Sequence, residues 1–286
     1  MRPIIAFALY TTCLGSFLGV FTSSLVAQES FATFSWQKGQ IFRYRVDHKT
    51  TAKDTQGSNS TEVQTELGLL KEWKVVEVDE VGSAQIQLKL LALRSITKRP
   101  DGQMFSFDST KPEESTPQVR DQLSKYVKDP VALLVVDKFG KVKEVRENRF
   151  GSAKRYDTDP PMGLVLGSGM IILGSKWERD VILSSDPTAP ASETNGWKAV
   201  VHAECIAATS SSRTIKVDAK WVKEPESSEA RIALLQHFPS TEVVLDQPGM
   251  PPKLIVSKMD RTIKHGDKDA SVYRLISDYR ESRIDE

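Results

Sequence analysis

Gly167-Ser168-Gly169 is the stretch of this 286-residue sequence that comes nearest to a nucleophile elbow. The match fails at both ends. Leu166 stands where the motif needs its first glycine and Met170 where it needs its last, and the strained strand-to-helix turn belongs in a parallel α/β setting. The glycines read instead as a bending, close-packed link. The four histidines, His48, His202, His237 and His265, are far apart. They form neither an HExxH pair nor a compact zinc set. Asp157 and Asp159 precede Pro160-Pro161; a calcium loop needs more oxygens at regular steps, so this is a turn. With 38 acidic residues the sequence singles out no carboxylate pair for glycoside hydrolysis. It has no phosphate-binding glycine motif. No cofactor and no metal are expected, and no catalytic residue is assigned.

The elements that would position any site are strands. Phe42, Tyr44 and Val46 alternate with Arg43 and Arg45, and Ala84, Ile86, Leu88 and Leu90 with Gln85, Gln87 and Lys89. Such period-two patterns mark half-buried strands. Trp73 to Val78, the turn Asp79–Gly82 and the run to residue 91 predict a hairpin. Val131–Val136, Asp137 to Lys141 and Val142–Val145 predict another. Trp197, Ala199, Val201, Ala203, Cys205 and Ala207 share a face, Thr209 to Ser212 turns the chain, and Ile215, Val217, Ala219 and Trp221 follow. Arg231–Gln236, Glu242–Leu245, Leu254–Met259 and Ser271–Ile276 are further expected strands. The one expected helix is Pro117 to Val127. The fold class is therefore mostly β, with antiparallel sheets forming an open half-barrel or two sheet-rich halves and one or two short helices.

Trp73, Trp197 and Trp221 lie on these alternating faces and are expected in a core, not on a sugar-binding platform. Cys205 takes an inward position and reads as a small buried hydrophobe.

The N-terminus points outside the cytoplasm. Arg2, the apolar run Ile4 to Val20 and the exit Val26-Ala27 before Gln28-Glu29 form the three-part pattern of a secretory signal peptide. The run is nearly long enough for an anchor. However, Thr11, Thr12, Gly15, Ser16 and Gly19 dilute it, and no basic cluster follows. Cys13 lies inside the apolar core, not at a lipoprotein cleavage box. Cleavage after Ala27 is expected, giving a periplasmic or secreted protein with no stable membrane span. Arg2 is the one charged residue of the leader. Of 39 basic and 38 acidic side chains in the whole sequence, the remainder is therefore balanced. A nucleic-acid partner, which calls for a basic excess, is not expected.

The expected organisation is a signal peptide at 1–27, an N-terminal β-rich half at 28–156, an apolar, glycine-rich crossover at 157–174 and a C-terminal β-rich half at 175–286. A loose echo links the halves: Gly39-Gln40-Ile41-Phe42 and Gly174-Ser175-Lys176-Trp177 each open a strand run, later followed by Trp73 and Trp197. The crossover is expected to lie against a sheet and to border any ligand cavity. Leu166, Met170 and Ile172 are its candidate ligand-binding residues.

Lys38-Gly39-Gln40-x-Phe42-x-Tyr44, Trp73-Lys74-Val75, Val78-x-x-x-Gly82-x-Ala84, Phe107-Asp108-Ser109, Pro130-Val131 and Asp137-x-x-Gly140-Lys141-Val142 occur together. In these features the chain resembles a group of exported, planctomycete-type bacterial proteins with a β-rich domain of unknown function. The resemblance covers about residues 38–145. It implies fold and no catalytic residue, since the motifs punctuate strands and turns. The strand content is also similar, at fold level, to the periplasmic lipoprotein-carrier half-barrels.

The expected function is non-catalytic: binding a hydrophobic or extended ligand, or a cell-envelope partner, along a curved sheet. The alternatives are a structural or assembly component of the envelope and, less favoured, a hydrolase whose residues converge from separate strands. Mass spectrometry of the native protein is expected to find Gln28 at the N-terminus. An intact Met1 in a cytoplasmic fraction would contradict export.

Overall fold

A computed structural model describes residues 31–285 apart from 152, 159–160, 185–195 and 267–269. The leader expected over 1–27, Cys13 included, lies outside the described residues. Strands β1 (Ile41–Gln56), β2 (Asn59–Val78), β3 (Ala84–Lys98), β4 (Met104–Asp108), β5 (Pro130–Val136) and β6 (Val142–Asn148) come first. After the crossover come β7 (Lys176–Leu183), β8 (Trp197–Ala208), β9 (Arg213–Trp221), β10 (Ser240–Leu245), β11 (Leu254–His265) and β12 (Ser271–Ile284). Three short helices, α1 (Pro117–Leu123), α2 (Arg155–Thr158) and α3 (Ser228–Leu234), connect them.

Turn chemistry sets the two hairpins read from the sequence. The Asp79 carboxylate accepts from the amides of Val81 and Ser83 at 3.1 and 2.7 Å. The Asp137 carboxylate accepts from Phe139 and Lys141, both at 2.9 Å. Gly82 and Gly140 take φ of 83° and 88°, the left-handed conformation that glycine adopts without a Cβ clash.

Every strand joins one sheet. Its order is β6-β5-β3-β2-β1-β12-β11-β10-β9-β8-β7, with β4 paired to β3 alone. The first half runs outward from the centre to β6. The second half runs inward from β7 until β12 pairs with β1, Arg43 opposite Ile284 and Gln56 opposite Ser271. The two β-rich halves are thus one continuous antiparallel sheet.

The sheet curls round one core. Phe42, Tyr44, Val75, Ile86 and Leu134 from the first half belong to the same buried cluster as Cys205, Ile215, Val243 and Ile255 from the second, with Met162, Leu164, Leu166 and Ile171 of the crossover between them. Ala84, Ile86 and Leu88 are buried as the alternation requires. Leu90, past the bulge between Leu88 and Lys89, is half-buried.

One expectation fails. Arg231–Gln236 is not a strand: it is the second part of α3 and the 3₁₀ turn Leu235–His237. The Ser227 hydroxyl caps α3 by accepting from the Ala230 amide at 3.3 Å, which supplies a start signal that alternation ignores. Ala230 and Leu234, four residues apart, form its buried face. Leu234 and Phe238 then cover Val181, Leu183 and Ala199 as a second, smaller cluster. Ile232 to Leu235 is a short apolar run that fits either period.

Ile86 is fully buried and Gln87 is not. Ile86→Asp is expected to cost about 3 kcal/mol or more in urea unfolding, because it places an unpaired charge in the core. Gln87→Asp is expected to stay within about 0.5 kcal/mol of the parent. Equal losses would show the face assignment to be wrong.

Candidate functional site

Strand parity creates the site. The path from β6 to β7 holds eleven strands joined antiparallel throughout. An odd number leaves its two edge strands pointing the same way. They cannot close on each other with antiparallel bonds, and they face each other across a cleft of about 350 Å³. One wall is Lys141, Val142 and Lys143; the other is Arg179, Asp180, Val181 and Ile182. Lys154, Tyr156 and Val165 complete the lining. Tyr156, on α2, is buried where that helix bridges the two edges. The lining carries four cations and one acid, a surface that suits an anionic or acidic guest.

Behind the cleft the crossover fills the curled sheet. The Leu166 amide donates to the Phe139 carbonyl at 2.8 Å, and the Trp177 indole donates to the Val165 carbonyl at 2.8 Å. A Cβ on Gly140 would stand 2.7 Å from both the Leu164 carbonyl oxygen and the Phe34 ring, and one on Gly167 would stand 2.9 Å from Trp177. The glycines are there for close approach. A void of about 10 Å³ lies beside Gly163, Leu164 and Trp177, room for one water at most. The crossover therefore lies against the sheet, with Val165 touching both spaces.

The candidate ligand residues separate. Leu166 is 5 % exposed and part of the core, whereas Met170 and Ile172 are 59 % and 56 % exposed. None of the three lines the cleft.

The histidines stay apart as well. His48 Nε2 is 2.9 Å from Ser277 Oγ, His265 Nε2 is 2.9 Å from Asp54 Oδ1, and His202 Nδ1, on β8, is 2.7 Å from Glu178 Oε1 on the edge strand β7. His237 follows α3. Among the described residues no three His, Cys, Asp or Glu side chains gather at one point. Cys205 is buried, and burial pushes its thiol pKa up, which keeps it protonated and unreactive. Trp73 is buried, and Trp197 and Trp221 are half-buried against the second cluster. Trp36 donates to the Asp137 carbonyl at 3.2 Å. With Trp177 it props loops onto the sheet.

Sequence reading missed a polar cluster on the inner face. Lys71 Nζ lies 3.2 Å from Glu281 Oε1 and 3.3 Å from the Tyr279 hydroxyl. Tyr279 also donates to Glu281, and the His48 ring stands edge-on to it. Burial, then the Glu281 charge, push the Tyr44 pKa well up. Next to it Arg283 donates to both Asp246 oxygens at 2.9 and 3.0 Å and to the Pro251 carbonyl at 2.6 Å. These partners come from β1, β2, β12 and the β10–β11 loop, which are distant in sequence. The available signal was a polar residue at inward positions, Lys71 two before Trp73, and Glu281 and Arg283 two apart.

His48 is pushed below the ordinary histidine value by burial and the Lys71 charge, and His237 by burial. Below about 6.5 the unfolded chain takes up protons that the folded one resists, so stability falls as pH falls through that window. Thermal unfolding from pH 7.5 down to 5 is expected to show this loss. The double variant His48→Gln, His237→Gln is expected to flatten the profile. An unchanged slope would mean that neither ring contributes.

No family model matches the chain, and a search of curated proteins finds no match. Among solved structures, the chain is similar to lipovitellin (lipid–protein interactions in lipovitellin), with a TM-score of 0.46 and 12 % identity over 87 % of this chain and 25 % of that one. It thus spans about a quarter of the lipovitellin chain. The COG4313 outer membrane channel from Pseudomonas putida F1 gives a TM-score of 0.20 at 7 % identity, over 88 % of this chain and 98 % of that one. MucB in complex with MucA(peri) gives 0.13 at 8 % identity, over 84 % and 89 %. These are partial likenesses of fold, and the site is read from its own geometry.

Proposed function

We propose that this is an exported, non-catalytic β-protein that binds an extended ligand or a cell-envelope partner at the cleft between β6 and β7. The carrying observation is the parity of the sheet. Two edge strands running the same way leave room for one strand antiparallel to both, and such a guest takes main-chain hydrogen bonds from each side. The crossover occupies the space behind them and does not supply that strand. Charged side chains along both edges, Lys143, Glu144, Arg146 and Glu147 on one and Glu178, Arg179 and Asp180 on the other, discourage indiscriminate pairing. They leave selectivity to the guest's own charges. The N-terminal pattern supports export, and the resemblance over residues 38–145 supports a place among planctomycete-type exported proteins.

A hydrophobic ligand is the second reading. Leu164, Leu166 and Ile171 favour it, since a lipid that displaced them would find an apolar interior ready-made. A purely structural role in the envelope is the third.

Hydrogen exchange separates them. An alternating Val–Glu octapeptide is expected to slow exchange of amides in 142–148 and 176–183 by about tenfold or more, as new ladder bonds do. An analogue with a run of consecutive prolines, which lacks donors toward either side, is expected to leave both edges unchanged. If cis-parinaric acid binds and speeds exchange over 162–171 while the peptide protects neither edge, the hydrophobic reading replaces the first. Binding of neither probe leaves the structural role.

A further inference from the structure

Besides β6 and β7 the sheet has an edge at β4, and the chain caps that one itself. The Ser106 amide donates to Thr116 Oγ1 at 3.1 Å, and the Asp108 amide to Ser115 Oγ at 3.0 Å. The Thr116 amide returns a bond to the Ser106 carbonyl at 2.8 Å. Along β6, from Val142 to Glu147, no loop does this among the described residues. That edge keeps its outward amides and carbonyls for another chain. A guest seated between β6 and β7 needs both of its own edges free. The edge strand of a second folded copy has only one, because its other side is already paired within its own sheet. The guest is therefore an extended segment that belongs to no sheet.

Two register shifts mark β6. Leu133 pairs with Glu147 and Leu134 with Val145, which passes over Arg146; Val135 pairs with Glu144 and Val136 with Val142, which passes over Lys143. Both residues left out of the ladder are cations, and bulges at sheet edges re-aim side chains. Lys143 lines the cleft together with Lys141. The acids beside them in the chain are engaged elsewhere. Glu144 Oε2 takes Arg146 Nε at 3.3 Å, and Asp137 Oδ1 accepts from the amides of Phe139 and Lys141. Among the described residues neither Lys141 nor Lys143 pairs with a carboxylate. On the facing wall Arg179 adjoins Asp180, so the β6 side holds an excess of positive charge.

Strand direction says which part of the guest meets these lysines. They stand where β6 begins, and a strand antiparallel to β6 arrives there with its C-terminal half. Resting on the cleft reading above, we propose that the guest is a lone extended polypeptide segment whose C-terminal half carries acidic residues, paired with Lys141 and Lys143.

Two octapeptides of one composition test this, both acetylated, amidated and dye-labelled. The first alternates Val with Thr, Thr, Glu and Glu in that order, and the second with Glu, Glu, Thr and Thr. By fluorescence anisotropy the first is expected to bind the full chain about fivefold tighter or more, as two exposed ion pairs allow, and to slow amide exchange in 142–148. Its advantage is expected to fade at about 0.5 M NaCl, where exposed charges are screened. In the double variant Lys141→Glu, Lys143→Glu the order of the two peptides is expected to reverse. Both lysines are exposed, so this variant keeps the fold. Equal binding of the two peptides, or a preference for the first that survives the glutamates, overturns the proposal, while slowed exchange in 142–148 still upholds the cleft reading. Protection of 142–148 by neither peptide removes the cleft reading, and the proposal with it.

Discussion

An antiparallel ladder allows each strand only neighbours that run the other way, and this rule governs the molecule. β1 and β12 pair at the centre, so the remaining strands spread outward in two wings. Eleven strands on the path give edges of the same direction, and they cannot close on each other with antiparallel bonds. The chain must also get from the far end of β6 to the near end of β7, a return along the whole length of the sheet. The crossover makes that return through the interior. Sheet order, filled core and open cleft thus share one cause.

Placing the return inside has consequences for packing. Met162, Leu164, Leu166 and Ile171 are nearly fully buried, and each such side chain contributes about 1.5–3 kcal/mol. The glycines among them let the two layers touch. Also on the inner face, Lys71, Tyr279 and Glu281 meet. A charged pair in that position adds little net stability, but losing one partner strands the other's charge. It fixes which residues of β2 and β12 stand on one face across β1.

The strands and their turns were legible because each rests on local chemistry. Asp79 with Gly82, and Asp137 with Gly140, announce hairpins within five residues. Phe42 to Val46 and Ala84 to Leu88 announce a face. The reading failed where local chemistry was ambiguous: Ile232 to Leu235 fits a helix or a strand, and the Ser227 cap decides for helix. The crossover was recognised as apolar, yet its composition could not separate Leu166, inside, from Met170 and Ile172, outside. That division depends on Arg213 and Cys205, which arrive from β8 and β9. The cluster around Lys71 was beyond reach for the same reason, and so was the cleft, since strand parity follows from the β1–β12 pairing and no short window of residues encodes it.

That pairing also imposes a timetable. Arg43 lies opposite Ile284, and Gln56 opposite Ser271, so the first strand waits for the last. Until the C-terminal residues are made, β1 has β2 on one side and an unpaired edge on the other. Ribosomal synthesis therefore delivers a nearly complete chain before the two wings can join, and loop closure over almost the full length slows that last step.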